Sequence, residues 1–266
     1  MKNTVTSILL LLTISFFFTS CTDEESSDSD TPQEQTAEEY TANSEELQFE
    51  QWMMEIDMND SLDSGNSLYY SKPSGESIEV EIFLNDSSEL IKAVESYTMP
   101  GSYSILRKYF YLREGKKFAT RELFEDTLNG GGFSERITFY NSDEQPIATK
   151  QRTADFEEHL DFETFAITAN HDCTIDRVMR VLNKEAEFAI TFQGFVSDGG
   201  ATYLIVGEDD PDGFATTLII QFVDETIQYL QMYESESIGK PMKLTFEKRD
   251  DGQGFEYQLL YGAVLE

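Results

Sequence analysis

In the run Glu76–Leu84, Ile78, Val80, Ile82 and Leu84 take every second position, with Glu79, Glu81 and Phe83 between them. Apolar residues at a period of two stand on one face of an extended strand and cannot form the stripe that a helix buries. The alternation returns in Ser104–Arg113, with Leu106, Phe110 and Leu112 on one face and Arg107, Tyr109, Tyr111 and Arg113 on the other. Phe118–Glu125, Ser134–Tyr140 and Ile147–Arg152 continue it, and turn-forming residues at Glu114-Gly115 and Asn141–Gln145 separate the runs. Gly130, Gly131 and Gly132 mark a longer loop. Such a chain is restricted to antiparallel hairpins. The spacing predicts a meander sheet of about five or six strands with one polar face over residues 47–165. A short helix opens this segment, its apolar face formed by Leu47, Phe49, Trp52, Met53 and Ile56.

The second half, 166–266, reads differently. Thr174 suits a helix N-cap, Ile175, Val178, Met179 and Leu182 follow at helical spacing, and Asn183-Lys184 closes the helix. Strand-like runs then occupy Glu187–Val196, Thr202–Glu208 and Ala215–Val223. A helix is predicted over Asp224–Glu234, and further strands over Met242–Lys248 and Phe255–Leu265. Three strands, a helix and two strands, with Gly194 and Gly262 where a small barrel bends, make residues 186–266 resemble an OB-fold. The fold class expected is therefore mainly β (α+β): a meander sheet domain, then an OB-like small β-barrel domain with a few short helices. The OB resemblance implies a binding surface but no particular ligand.

Charge limits the partners. The chain has 19 basic and 51 acidic residues, a net charge of −32. That field opposes phosphate backbones and anionic lipid surfaces alike, so nucleic acid is excluded as a partner. From Thr22 to Ser71 there is no Lys or Arg, and residues 21–46 are acidic and nearly free of apolar side chains. Such a segment cannot bury enough surface to offset chain entropy, so it is expected to be a disordered tether.

The N-terminus carries the most specific pattern. Lys2 gives a short basic region, and Ile8–Phe18 is an uncharged apolar run too short to span a bilayer comfortably. It ends Phe18-Thr19-Ser20-Cys21. This resembles the lipobox of bacterial lipoproteins, with Phe18 where that family usually has Leu. The resemblance implies that residues 1–20 are a signal peptide and that Cys21 carries lipid. It also implies a cell-envelope location at the outer membrane, on either the periplasmic side or the cell surface. Asp23, Glu24 and Glu25 resemble the surface-export signal of lipoproteins in some Gram-negative phyla. Asp60-Ser61-Leu62 and Asp126-Thr127-Leu128 resemble an O-glycosylation sequon of the same kind of organism. The runs ERITFY and PIATKQR resemble aromatic hairpins of other bacterial lipoproteins, which imply no activity. With Cys21 acylated, Cys173 has no disulfide partner, and it reads as a small buried hydrophobe.

No catalytic constellation stands out, and no cofactor or metal is expected. His171-Asp172-Cys173 lacks metal-ligand spacing; as neighbours on an extended segment, His171 and Cys173 are expected to point apart. Glu208-Asp209-Asp210-Pro211-Asp212-Gly213 lacks the spacing of an EF-hand and suits a hairpin loop. Residues 92–152 hold ten basic and eight acidic residues in an otherwise acidic chain. Arg107, Tyr109, Tyr111, Arg121, Arg136 and Arg152 there form a candidate binding face, since guanidinium forks grip carboxylates and aromatic rings accept sugars. The alternatives are cross-strand pairing with Glu122, Glu125 and Glu135, or electrostatic docking of the acidic stalk. Two functions remain open: a non-enzymatic binding module for a glycan or an envelope protein, or a polysaccharide hydrolase with paired carboxylates. A purely structural envelope component is the third.

Overall fold

The computed structural model describes residues 43–101, 104–125, 131–253 and 256–266. The segment expected to be a signal peptide, Cys21, the expected tether up to residue 42, Gly130 and Asp126-Thr127-Leu128 lie outside the described residues.

The first helix, α1 (Ser44–Asp57), starts three residues earlier than its apolar spacing suggests. The Asn43 side chain accepts from the N–H groups of Glu45 and Glu46 at 2.9 and 3.0 Å, and Glu46 reaches back to the Asn43 backbone N–H. This reciprocal cap satisfies donors that a bare helix end leaves open. Residues 43–46, expected as the end of the tether, are thus the cap and first turn of the helix. Phe49 and Met53 face inward; Leu47, expected beside them, faces solvent.

The strands that follow are β1 (Asp63–Asn66), β2 (Tyr70–Ser71), β3 (Ser77–Leu84), β4 (Leu90–Thr98), β5 (Ile105–Arg113), β6 (Lys116–Glu125), β7 (Phe133–Tyr140), β8 (Pro146–Ala154) and β9 (Ala166–Ile167). From β2 to β9 each pairs antiparallel with the next, and β1 pairs with β3 on the edge that β2 also uses. Helix α2 (Asp176–Asn183) follows. It begins after Ile175 rather than Thr174, and it buries Val178 and Val181 while Met179 turns outward.

The remaining elements are β10 (Thr191–Asp198), β11 (Ala201–Gly207), β12 (Ala215–Ile220), α3 (Glu225–Met232), α4 (Glu234–Ser237), β13 (Met242–Asp250) and β14 (Glu256–Leu265). Asp224 caps α3 by accepting from the Ile227 N–H at 2.8 Å. Strands β10, β11 and β12 pair antiparallel, β14 lies parallel to β12 through Ile219–Leu259 and Ile220–Leu260, and β13 pairs antiparallel with β14. The approach to β13 returns to β10. Phe192 N–H donates to Lys240 O at 2.9 Å, and Gly239 N–H to Phe192 O at 2.8 Å. The five strands therefore close on themselves in the order β10-β11-β12-β14-β13. Gly194, at φ +140°, sits at a bulge in β10, and Gly262 flanks the register shift in β14. Both glycines mark the bends that closing so small a barrel requires.

Ser71 of β2 pairs with Ala215 of β12, so the segments expected as first and second domains meet in one continuous sheet. They also share its larger core. Tyr70, Ile78, Val80, Ala93 and Phe110 pack with Phe188, Phe192, Leu204, Leu218 and Leu260. A smaller core lies on the other face of the meander, where α1 sets Phe49 and Met53 against Tyr111, Phe118, Ile137 and Phe139. An extra residue in β6 at Phe118, opposite Tyr111–Leu112, turns Phe118 and Ala119 toward this same core. The face expected to be polar and solvated is thus partly roofed by a helix.

Candidate functional site

The register sorts the six expected binding residues. Tyr109 lies opposite Arg121, and Tyr111 opposite Ala119, on the face that α1 covers. Arg107 and Arg152 share that face through Leu123 and Glu135, while Arg136, opposite Glu122, is on the other. Five of the six are brought to one face; Arg136 is not. Tyr111 is completely buried; its hydroxyl donates to Asp57 Oδ2 at 3.0 Å, and burial with that carboxylate pushes its pKa far above the usual phenol range. All four guanidiniums are engaged. Arg121 and Arg152 both grip Glu135, which is 2 % exposed, and Arg152 also reaches Asp161 at 2.7 Å. Arg107 meets Glu157 at 3.1 Å, and Arg136 meets Glu122 at 3.3 Å. Carboxylates of neighbouring strands, Glu135 and Glu122, occupy the forks of Arg121, Arg152 and Arg136, and the helical turn Glu157–Phe162 supplies Glu157 to Arg107 and Asp161 to Arg152.

The opposite face carries a charged row of directly paired residues: Glu95, Lys108, Glu122, Arg136 and Gln151, on five successive strands. Arg177 of α2 closes one end with a two-pronged grip on Glu95, at 2.5 and 3.0 Å. Glu122, nearly buried, takes Lys108 at 3.4 Å, Arg136 at 3.3 Å and His171 Nε2 at 3.1 Å. Cys173 Sγ also lies 3.9 Å from Glu122. His171 and Cys173 therefore converge on one carboxylate instead of pointing apart. The expectation itself was at fault: residues two apart on an extended segment share a face, so alternation gives no ground for His171 and Cys173 to diverge, strand or not. Lys117 pins this segment by donating to Asp172 Oδ1 at 3.2 Å and to Cys173 O at 2.5 Å. Burial pushes the Cys173 thiol up to about 11, so it is a protonated, packed side chain and not an activated nucleophile. Among the described residues no group of three or more His, Cys, Asp or Glu is placed to hold a metal. The acidic run after β11 is a loop closed on itself, with Glu208 N–H donating to Phe214 O at 2.9 Å and Asp212 N–H to Asp210 Oδ1 at 3.0 Å.

A different place has the form of a ligand site. Where the barrel meets β2 and β3, a groove of about 440 Å³ is lined by Tyr69, Tyr203, Tyr257, Thr217, Ile219, Gln258, Glu79, Lys248 and Glu256. Its size falls in the range of small-molecule pockets, roughly 300–1,000 Å³. Tyr203 and Ile219 are direct partners across β11 and β12 and form a firm floor. Gln258 fixes the wall: its Oε1 accepts from the Tyr69 N–H at 2.9 Å, and its Nε2 donates to Thr216 Oγ1 at 2.7 Å. Lys248 bridges Glu79, at 2.7 and 2.8 Å to the two carboxylate oxygens, and Glu256, at 2.7 Å. Burial works against the Lys248 charge, but its hydrogen bonds to Glu256 and Glu79 and their negative charge outweigh it and hold its pKa above the usual value. Beyond that bridge lies a second hollow of about 440 Å³, lined by Glu81, Val94, Ser96, Arg249 and Asp250 with the same three bridge residues. Burial raises the pKa of Glu81. Lys92 and Lys248 offset this in part, and Glu79 and Glu256 add to it.

None of the tyrosines of this groove stood out in the sequence. Tyr203 is a single aromatic within its strand, Tyr257 is one of two in β14, and Tyr69 precedes a two-residue strand. The one available signal, an aromatic at an outward strand position, does not say that three such residues from distant segments converge. Compared with known proteins, the chain matches no protein-family model, no curated protein and no solved structure.

Proposed function

We propose that this protein is a lipid-anchored component of the bacterial cell envelope, and that its folded part is a glycan-binding module. The lipobox-like Phe18-Thr19-Ser20-Cys21 supports the anchor, and the acidic stretch after it supports a tether that stands the module off the outer membrane. The closed strand order β10-β11-β12-β14-β13, with α3 between the third and fourth strands, supports the OB-like reading of residues 186–266. The observation that carries the binding function is the groove of Tyr69, Tyr203 and Tyr257. Three rings on a rigid sheet junction offer flat apolar surface with a hydroxyl at each rim, the combination that recognises sugar rings.

Two experiments test these parts separately. Cys21→Ser moves the protein from the membrane pellet to the soluble fraction in cell fractionation; retention in the pellet contradicts the anchor. Tyr203→Ala weakens oligosaccharide binding by about tenfold or more, as expected for a central aromatic contact, with unchanged melting. Unaltered affinity contradicts the role given to the groove.

The hollow holding Glu81 favours a second reading, a polysaccharide hydrolase. A carboxyl group whose pKa burial raises, two residues along the same strand from the lysine-paired Glu79, is the kind of asymmetry that acid-assisted glycoside cleavage uses. New reducing ends, released from bound oligosaccharide and lost in Glu81→Gln, favour this reading over simple binding.

A further inference from the structure

We infer that the tyrosine groove takes uncharged sugar units and rejects acidic polysaccharides, with the Glu79–Lys248–Glu256 bridge setting that selectivity. The inference rests on the glycan-binding reading and adds the class of ligand. A lysine in a sugar-sized groove normally anchors a carboxylate or phosphate, because its ammonium supplies three donors and a full charge. Here Lys248 is the basic residue in the lining, and its charge is already spent. Three carboxylate oxygens stand within 2.7–2.8 Å of Nζ, and the side chain is only 18 % exposed. Glu79 and Glu256 together outweigh the one ammonium, so the rim is net acidic.

The surroundings strengthen this. The adjoining hollow adds Glu81 and Asp250. Its other cation, Arg249, turns away to Glu247 at 3.1 Å and to the Tyr261 hydroxyl at 2.7 Å. A uronate or phosphorylated sugar entering the groove therefore meets repulsion from the rim and from a chain of net charge −32. What the groove does offer is neutral. Among the described residues no hydrogen bond reaches the hydroxyls of Tyr69, Tyr203 or Tyr257, so each is open to donate to, or accept from, a sugar hydroxyl. Carboxylates lining a ligand path act as negative selection against like charge, which is how sites commonly gain specificity.

Affinity electrophoresis of the full-length, detergent-solubilised protein tests this with three probes: an uncharged β-glucan, an uncharged mannan and polygalacturonate. Retardation by at least one uncharged polymer, with none by polygalacturonate, is the expected result. Glu79→Gln removes one carboxylate from Lys248 and is expected to give measurable retardation by polygalacturonate where the wild type shows none; a folded variant still not retarded contradicts the role given to the bridge. Wild-type binding to polygalacturonate overturns the selectivity while leaving the glycan reading in place. Failure on all three polymers removes both. If Glu79→Gln does not fold, the wild-type comparison between charged and uncharged polymers still decides.

Discussion

Replacing Glu135 with alanine is expected to destabilise the protein by about 3–5 kcal/mol, the usual cost of removing one member from a buried ionic group. Glu135 is 2 % exposed and is gripped by Arg121 from β6 and Arg152 from β8, so its removal leaves Arg121 without its carboxylate and Arg152 with only the exposed Asp161. Exposed ion pairs such as Arg249–Glu247 and Lys243–Glu266 are screened by solvent and add little to stability. What separates Glu135 is burial, because desolvation turns a modest attraction into a strict pairing requirement. Urea unfolding measures the effect. A control removes the charges altogether: Glu135→Leu combined with Arg121→Met and Arg152→Met recovers much of the loss, since apolar side chains of similar volume need no partner. A loss under about 1 kcal/mol in Glu135→Ala would mean that the group is solvated and that the face is more open than described.

The second large effect concerns how the chain is unified. Phe188 is fully buried; its ring lies 5.3 Å from that of Tyr70 and 4.9 Å from that of Phe214, and its carbonyl accepts from the Tyr70 hydroxyl at 3.1 Å. Tyr70 belongs to the short strand that connects the meander to the barrel. Phe188→Ala is expected to cost about 3–5 kcal/mol, through lost burial and the cavity left behind. The sole tryptophan, Trp52, lies in the small core under α1, away from this contact. Its fluorescence midpoint in denaturant should therefore fall together with the far-ultraviolet signal. A Trp52 transition that stays where it was would show that the meander unfolds independently of the barrel.

Much of this architecture was legible from alternation. The runs at 76–84, 104–113, 134–140 and 147–152, and the barrel strands with their intervening helix, fall close to their observed places. The inward positions at Ile78, Val80, Phe110 and Leu218 follow the same rule. Strand β4 escaped notice because its fully buried positions are Ala93 and Glu95, one too small and one too polar to register in an apolar pattern. Only the partner arginine, 82 residues away on α2, makes that glutamate a core residue. The expected solvated face failed for a related reason. An amphipathic helix and a half-polar sheet face are each readable, but nothing local says that the first covers the second. Tyr111 looks outward by period and is completely buried in fact. Of the expected arginines, Arg107, Arg121 and Arg152 share one face and Arg136 takes the other, and carboxylates of the neighbouring strands and of the turn at 157–162 claim all four. The groove was invisible because Tyr69, Tyr203 and Tyr257 meet only through the pairing of β2 with β12 and of β12 with β14.

Hydrogen–deuterium exchange of the full-length protein, with and without saturating uncharged oligosaccharide, tests the binding site most directly. Protection concentrated in peptides containing Tyr69, in β11–β12 around Tyr203 and Ile219, and at the start of β14 around Tyr257 is the result predicted here. Protection confined to the strands carrying Arg107, Arg121 and Arg152, with none around Tyr203, would contradict it.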